Sequence, residues 1–384
     1  MKKMFALILV FGLMAGVLAG CGGTASSDEI KIGINYELSG GVASYGQSSV
    51  DGIMLAIEEI NAAGGVNGKK IVPVQVDNKS DQAEANTLAN KLVAQEKVVA
   101  ILGPATSGAF KAQAPVAQQN KIPVISGSAT DDSVTVDETG LKDYVFRICY
   151  TDSVQGAAMA NFASDNLSAT KAVIIQDSSS DYGKGLASNF KRVFTENGGT
   201  IVGEESYVAK ETDFNAILTK IAAMDFDVIY LPGYYEEAGL IIKQARALGI
   251  DAPILGADGF DSPTLLDLAG ASALTEVYFT NHYSSLEQDP AVLEFIENFK
   301  TKYNREPDAF AALGYDMVYF LADGLKRADS TNGTALRDAL AATKDLAGVT
   351  GAVTVDENHN AVKSIVVLGL ENGEQASAVR VSQD

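Results

Sequence analysis

Cysteine and histidine are nearly missing from this 384-residue chain: Cys21, Cys149, His282 and His359 are all there is. Cys21 belongs to an N-terminal segment with the marks of a processed signal, so Cys149 has no partner and no internal disulfide framework exists. Cys149 lies in the apolar stretch Val145-Phe146-Arg147-Ile148-Cys149, where a buried inert thiol is expected. Two histidines without paired cysteines fall short of the ligand clusters of a zinc site, and neither a metal nor a cofactor is expected. GxxxxGK followed by Ser or Thr, GxSxG and HExxH do not occur, which removes the commonest phosphate-loop, serine-hydrolase and zinc-protease arrangements. Positive charge is also scarce, with 29 Lys and Arg against 49 Asp and Glu for a formal charge of −20. Nucleic acid and anionic lipid are therefore poor partners. An acidic surface serves solubility first and identifies no site.

What is present begins at the N-terminus. Lys2 and Lys3 precede an uncharged run from Met4 to Gly20, and Leu18-Ala19-Gly20 leads into Cys21. The run has 17 residues, fewer than the roughly 20 a helix needs to cross a bilayer, so residues 1–21 read as a cleaved export signal. The pattern resembles the bacterial lipobox. That resemblance implies that Cys21 becomes a lipid-carrying N-terminus, and that the rest works outside the cytoplasm at the cell membrane or in the periplasm. Residues 22–28, starting Gly22-Gly23-Thr24-Ala25-Ser26-Ser27, make a flexible tether. No later run of 18 apolar residues offers a second anchor.

About 356 residues remain, too many for one ordinary core and enough for two domains. Strand-like and helix-like runs alternate. A strand over Ile30 to Tyr36 precedes a helix from about Gly46 to Ala63, whose Val50, Ile53, Ile57 and Ile60 recur at helical spacing and predict one buried face. Gly64-Gly65 stops that helix, Asn67-Gly68 turns the chain, and Ile71 to Val76 is the next strand. A helix over Ala83 to Glu96, a strand over Val98 to Leu102, a helix over Ala109 to Gln119 and a strand over Ile122 to Ser126 complete a series that implies a parallel sheet covered on both faces. After Tyr150 a second series runs through strands near Ala172 to Gln176, Thr200 to Tyr207, Val228 to Leu231, Pro253 to Leu255 and Val277 to Thr280. Three more helices follow, and strands at Ala352 to Val355 and Ser364 to Leu370 finish the chain. The expected fold class is α/β, two Rossmann-like lobes with parallel sheets.

Open parallel sheets bind ligands beyond the carboxyl ends of their strands, where helix N-termini offer unpaired N–H groups. In the first unit those loops are Ser39-Gly40-Gly41, Gly103-Pro104-Ala105-Thr106-Ser107-Gly108 and Ser126-Gly127-Ser128-Ala129-Thr130. They are uncharged and rich in hydroxyls, which suits a carboxylate held by hydrogen bonds; the same residues also cap helices and close turns. In the second unit they are Asp177 to Gly183, Pro232-Gly233-Tyr234-Tyr235 and Ala257-Asp258-Gly259-Phe260. A carboxylate beside aromatic faces suits an ammonium group, although tyrosines at a rim and an aspartate in a turn are individually ordinary. Together the two sets suit a zwitterion.

Ile60 to Ile71, Ser39 to Gly46, Gly103 to Ser107 and Asp181-Tyr182-Gly183 resemble the leucine/isoleucine/valine-binding protein family over nearly the whole chain from Ile30. The family consists of extracytoplasmic substrate-binding proteins of amino-acid ABC importers, with two α/β lobes joined by three crossing segments. The resemblance implies a monomer that binds an amino acid, branched-chain or otherwise apolar, and delivers it to a membrane permease without catalysis. Lobe 1 would comprise 29–149 and 282–362, and lobe 2 would comprise 150–281 and 363–384. Hinge candidates are Ile148 to Thr151, Thr280 to His282 and Ala361 to Ile365. Ser107 and Thr130 match holders of the ligand carboxylate, Ser128 a backbone carbonyl for the ammonium, and Asp258 its acidic partner. Tyr45, Tyr182 and Tyr234 match aromatic residues that close over the ligand, Ala105 and Thr106 lie beside them, and Phe260 and Phe310 are further pocket candidates. The branched-chain binders carry Glu where this chain has Asp258. Other readings are a binder of aromatic or aliphatic carboxylates or small amides, the ligand-sensing part of a signalling system, and a lipid-anchored hydrolase using Asp177 with Asp181 or Asp258 with Glu236.

Overall fold

A computed structural model describes residues 29–381; the signal, Cys21 and the tether up to Asp28 lie outside the described residues. The first unit runs β1 (Glu29–Tyr36), α1 (Ala43–Ala62), β2 (Lys70–Asp77), α2 (Gln82–Lys91), β3 (Ile101–Leu102), α3 (Ser107–Asn120) and β4 (Val124–Ser126). A small hairpin of β5 (Val136–Asp137) and β6 (Gly140–Leu141) follows, then β7 (Val145–Arg147). Its sheet has the order β2-β1-β3-β4-β7 with every pairing parallel. The second unit runs α4 (Asp152–Asp165), β8 (Lys171–Asp177), α5 (Asp181–Glu196), β9 (Thr200–Tyr207), α6 (Asn215–Ile221), β10 (Val228–Tyr230), α7 (Tyr235–Ala247), β11 (Ile254–Gly256), α8 (Pro263–Ala269) and β12 (Val277–Asn281). The chain then returns to the first sheet as α9 (Pro290–Tyr303), α10 (Ala309–Ala328) and α11 (Gly333–Ala341), with a short β13 (Thr354–Val355) and β14 (Ala361–Val362) pair. Finally β15 (Ile365–Glu371) and β16 (Glu374–Val381) join the second sheet, whose order is β16-β15-β12-β11-β10-β8-β9.

The α/β architecture of two lobes is the expected one, and α1 shows why. Val50, Ile53, Ile57 and Ile60 are buried along one stripe, which fixes that helix to its sheet. In the second lobe Met159, Phe162 and Phe190 pack on one face of the sheet, and Phe214, Leu218, Ile241 and Ile242 pack in the larger core.

Three details differ from expectation. Glu374–Val381 is a strand although Leu370 was expected to end the last one; its mostly exposed, polar residues give little periodic signal, and backbone pairing with β15 makes it a strand. β15 and β16 are antiparallel additions to an otherwise parallel sheet. The second and third crossings are also displaced from the expected hinges. Thr280 and Asn281 are held in the β12–β15 ladder, while Ala361 and Val362 pair with β13 and Ile365 with β16. Ladder hydrogen bonds resist the dihedral change a hinge needs, so the second crossing starts at His282 and the third narrows to Lys363 and Ser364.

α1 and α10 approach closely because each presents a glycine to the other's backbone. A Cβ on Gly52 would lie 1.9 Å from the Ala311 carbonyl oxygen, and one on Gly314 2.2 Å from that of Ser49. Neither neighbour is a side chain that can swing away. We predict that Gly52→Ala destabilises the protein by about 1–3 kcal/mol, the range for overpacked cores, seen as a lower urea midpoint at unchanged slope. A midpoint equal to that of the unsubstituted chain would refute the close approach.

Candidate functional site

The loops at the carboxyl ends of both sheets face each other across a narrow cleft. The first wall is built on Glu37, just past β1. This buried carboxylate accepts the Ala105 N–H (3.0 Å), the Thr106 N–H (3.1 Å) and the Thr106 hydroxyl (2.9 Å). Burial raises its pKa, and those donors oppose the rise. Glu37 thereby fixes the loop that starts α3, so Ser107 opens the helix with its N-terminal turn at the cleft. The Ser107 hydroxyl accepts the Asp131 N–H at 3.1 Å, and the Ser128 hydroxyl donates to the Ala105 carbonyl at 3.0 Å.

The second wall carries the acid. Tyr182, on the first turn of α5 behind the Ser180 cap, donates its hydroxyl to Asp258 Oδ1 at 2.7 Å and accepts the Gly259 N–H at 3.0 Å. His282 Nε2 lies 3.2 Å from Asp258 Oδ2. Gln155 Oε1 accepts the Asp258 N–H and the Thr280 hydroxyl. Tyr234 stacks on Tyr182 at 5.0 Å with an interplanar angle of 9°, Tyr45 meets Tyr234 edge-on at 5.8 Å, and Phe310 stacks on Tyr45 at 4.2 Å. Burial pushes the Tyr45, Tyr182 and Tyr234 phenols well above their ordinary value, so all three stay neutral donors.

Tyr45, Ala105, Thr106, Ser107, Ser128, Tyr182, Tyr234, Asp258 and Phe310 together line one cavity, with Gly259. The cavity is about 10 Å³, room for about one water molecule, so the cleft is shut. Tyr45 donates its hydroxyl to the Gly259 carbonyl and accepts the Tyr235 N–H at 3.2 Å. Ser44 and Ser262 hydroxyls meet at 2.8 Å, Lys111 reaches Asp181 at 2.6 Å, and Asp261 Oδ2 accepts the Ala309 N–H at 2.7 Å. Each of these contacts joins an element of one sheet's lobe to one of the other's.

Two expected residues do not line this cavity. Phe260 is core: its ring covers Gly256, where a Cβ would come within 2.4 Å of it, and lies 6.1 Å from Phe279. An aromatic ring one turn from Asp258 finds more apolar surface beneath the loop than in the cleft. Thr130 is fully buried behind the wall; its carbonyl accepts the Asp152 N–H at 2.8 Å, and its hydroxyl lies toward the Asp152 carboxylate.

Four residues of this network were not expected from sequence. Glu37, Gln155 and His282 carry no local motif, since their partners lie 68, 103 and 24 positions away. Asp152 opens α4 fully buried. Burial raises its pKa well above the ordinary value, the Thr130 side chain opposes that rise, and Asp258 adds to it. The acid pairs of the hydrolase reading are engaged elsewhere. Asp177 accepts the Ser179 N–H and hydroxyl, Asp181 pairs with Lys111 and Lys184, and Glu236 packs by Gly41.

Comparison with known proteins agrees with this fold. A family model described as periplasmic binding protein matches residues 29–375. The Leu/Ile/Val-binding protein homolog 3 of Brucella melitensis is 31% identical over 335 residues, 87% of this chain and 89% of that protein. The branched-chain amino acid transporter substrate-binding protein LivJ of Streptococcus pneumoniae, solved in complex with isoleucine, is 44% identical with a TM-score of 0.88, covering 92% of this chain and 99% of that one. A solute-binding protein of an ABC transporter from R. palustris, solved in complex with benzoate, is 26% identical with a TM-score of 0.82, covering 92% and 95%.

Asp261 and Asp308 meet in the seam between the walls. Both are half-buried; loss of solvent raises both pKa values, repulsion from Asp258 raises that of Asp261 further, and repulsion from Asp261 raises that of Asp308. A carboxyl with a raised folded-state pKa keeps its proton after the unfolded chain has lost it. Its contribution to stability is therefore complete below the ordinary carboxylate range near 4 and is lost as pH rises through the raised value. Asp308 caps α10 by accepting the Ala311 N–H at 2.9 Å, a bond asparagine can also accept. We predict that Asp308→Asn flattens the fall in urea midpoint between pH 4 and neutrality. An unaltered slope in the variant would remove the pair as its source.

Proposed function

The chain belongs to the leucine/isoleucine/valine-binding family of periplasmic binding proteins, extracytoplasmic substrate-binding proteins of ABC importers that do no catalysis, and from that premise we propose that its ligand is an apolar L-amino acid, branched-chain above all. The observation that carries this reading is the division of the cavity wall. Asp258 is the one carboxylate among the lining residues, opposite the uncharged Ala105, Thr106, Ser107 and Ser128 at a helix N-terminus. A zwitterion satisfies both sides: its carboxylate takes Ser107 and, once the walls part and re-form, the Thr130 hydroxyl, and its ammonium takes Asp258 and the Ser128 carbonyl. Tyr45, Tyr182, Tyr234 and Phe310 enclose the rest with aromatic faces that favour an apolar side chain and a cation beside it. The isoleucine held by the S. pneumoniae relative supports the ligand class.

In this reading residues 29–149 with 282–362 form the carboxylate-binding lobe, and 150–281 with 363–384 the ammonium-binding lobe. Rotation about the three crossings opens a cleft that is otherwise too small for any amino acid. The ligand touches both walls only when they close, so binding shifts the population toward the closed form. That form meets the permease, and lipid on Cys21 keeps the monomer at the membrane. A second reading takes the same wall as a carboxylate site without an ammonium, as the benzoate-bound relative suggests.

Melting-temperature shifts with the chain from Asp28, refolded to remove carried ligand, separate the two. A ligand of the native state stabilises it by mass action. We expect shifts from isoleucine, leucine or valine and none from their deaminated analogues; equal shifts from both would move the assignment to carboxylates. We further predict that Asp258→Ala weakens amino-acid binding by about 1.5–3 kcal/mol, the range for hydrogen bonds to charged groups, with the fold retained. A dissociation constant unchanged by that substitution would take Asp258 out of the site.

A further inference from the structure

Asp258 is held from two sides, and the second side is His282. A carboxylate only accepts hydrogen bonds, so the 3.2 Å contact from His282 Nε2 to Oδ2 places the imidazole proton on Nε2 and leaves Nδ1 as a bare acceptor. Nδ1 has no hydrogen-bond partner among the described residues, so Asp258 alone selects this tautomer. The ring has almost no freedom to leave. Its side chain is 1% exposed, it stacks on Tyr150 at 3.7 Å with an interplanar angle of 16°, and the backbone N–H of His282 donates to Asn281 Oδ1 at 2.8 Å. Tyr150 belongs to the first crossing and His282 opens the second.

We propose that His282 is a positioning residue for the ligand-binding acid: it fixes the Asp258 carboxylate from behind and ties that carboxylate to the crossing segments, through its stacking on Tyr150. Tyr182 alone leaves Asp258 able to turn about its own side-chain bonds, because one donor on Oδ1 does not fix the plane of the carboxylate. A second donor on Oδ2 does. The carboxylate then presents its remaining lone pairs to the cleft in one orientation, and no ordering cost is left for the ligand ammonium to meet. The assignment rests on the amino-acid reading above.

The test measures L-isoleucine and its 2-hydroxy and 2-oxo counterparts by calorimetry against the unsubstituted chain, His282→Ala, His282→Gln, Asp258→Asn and the double variant Asp258→Asn with His282→Ala. Melting temperatures confirm that each variant is folded. His282→Ala is expected to weaken isoleucine binding about tenfold or more, the lower end for a lost hydrogen bond to a charged group. His282→Gln, whose amide can donate to Oδ2, should recover most of that loss. In the Asp258→Asn background the alanine change should cost nothing more, since coupled residues fail to add. Full additivity in that cycle, absence of rescue by glutamine, or an unchanged constant in His282→Ala each overturns the proposal. Binding of the 2-hydroxy and 2-oxo acids by the unsubstituted chain as tightly as isoleucine would instead overturn the amino-acid reading, and the role of His282 with it.

Discussion

A carboxylate taken out of water is tolerated only where donors replace the hydration it gives up, and both walls of the cleft are organised around that requirement. Glu37 meets it on one side by recruiting two backbone N–H groups and a hydroxyl from the Ala105–Thr106 turn. Its charge is thereby absorbed inside the wall, and the face toward the cavity keeps only hydroxyls and backbone. Asp258 meets it on the other side with Tyr182 and His282, two donors that leave acceptor capacity unused. The first acid is spent on architecture, and the second keeps acceptor capacity toward the cleft. In the proposed reading, exchanging these environments would put the open acceptor beside the ligand carboxylate, which is why the asymmetry matters more than the number of acids.

The same consideration governs how firmly the cleft closes. The polar bonds across the seam include Tyr45 with Gly259 and Tyr235, Ser44 with Ser262 and with the Tyr235 hydroxyl, Lys111 with Asp181, Ser153 with Asp132, and Asp261 with Ala309. Net hydrogen bonds are worth about 0.5–1.5 kcal/mol. The Lys111–Asp181 pair, with the aspartate 48% exposed, falls in the range of about 0–1 kcal/mol for surface ion pairs. Repulsion between the half-buried Asp261 and Asp308 works against closure wherever both are ionised. In the proposed reading, a ligand that binds the closed state about 5.5 kcal/mol better than the open one carries the population from 1:99 to 99:1.

Much of this was legible in the sequence, for reasons that differ by residue. The apolar spacing in α1 and the alternation of strands and helices depend on local pattern, so the two parallel sheets and the loops at their carboxyl ends could be read directly. Because those loops are the binding edge of any such sheet, seven candidate residues named in them come together around one cavity, joined by Tyr45 and Phe310, which only the family resemblance had pointed to. Phe260 was misplaced because an aromatic one turn from a polar site has two apolar destinations, and only the tertiary packing on Gly256 decides between them. Glu37, Asp152 and His282 were passed over because their roles arise from partners far along the chain or from burial itself. β16 escaped because an exposed edge strand has no periodicity to display.

The resemblance to the branched-chain binders implies a glutamate where this chain has Asp258, and the surroundings of the aspartate give that difference a physical sense. A glutamate would carry its carboxylate farther from the backbone by one carbon–carbon bond, about 1.5 Å. The shorter side chain keeps the carboxylate back in the wall, where Tyr182 and His282 both reach it and Gln155 holds its backbone N–H. A retracted acid supported at both oxygens loses reach and gains fixed direction, while a longer one reaches farther through one more rotatable bond. In the proposed amino-acid reading, the ammonium then approaches a wall-bound group instead of meeting one that extends toward it. Closure in that reading brings the second wall nearer to the ligand, and the Tyr45 contacts with Gly259 and Tyr235 are placed to draw the Asp258 loop toward the first lobe.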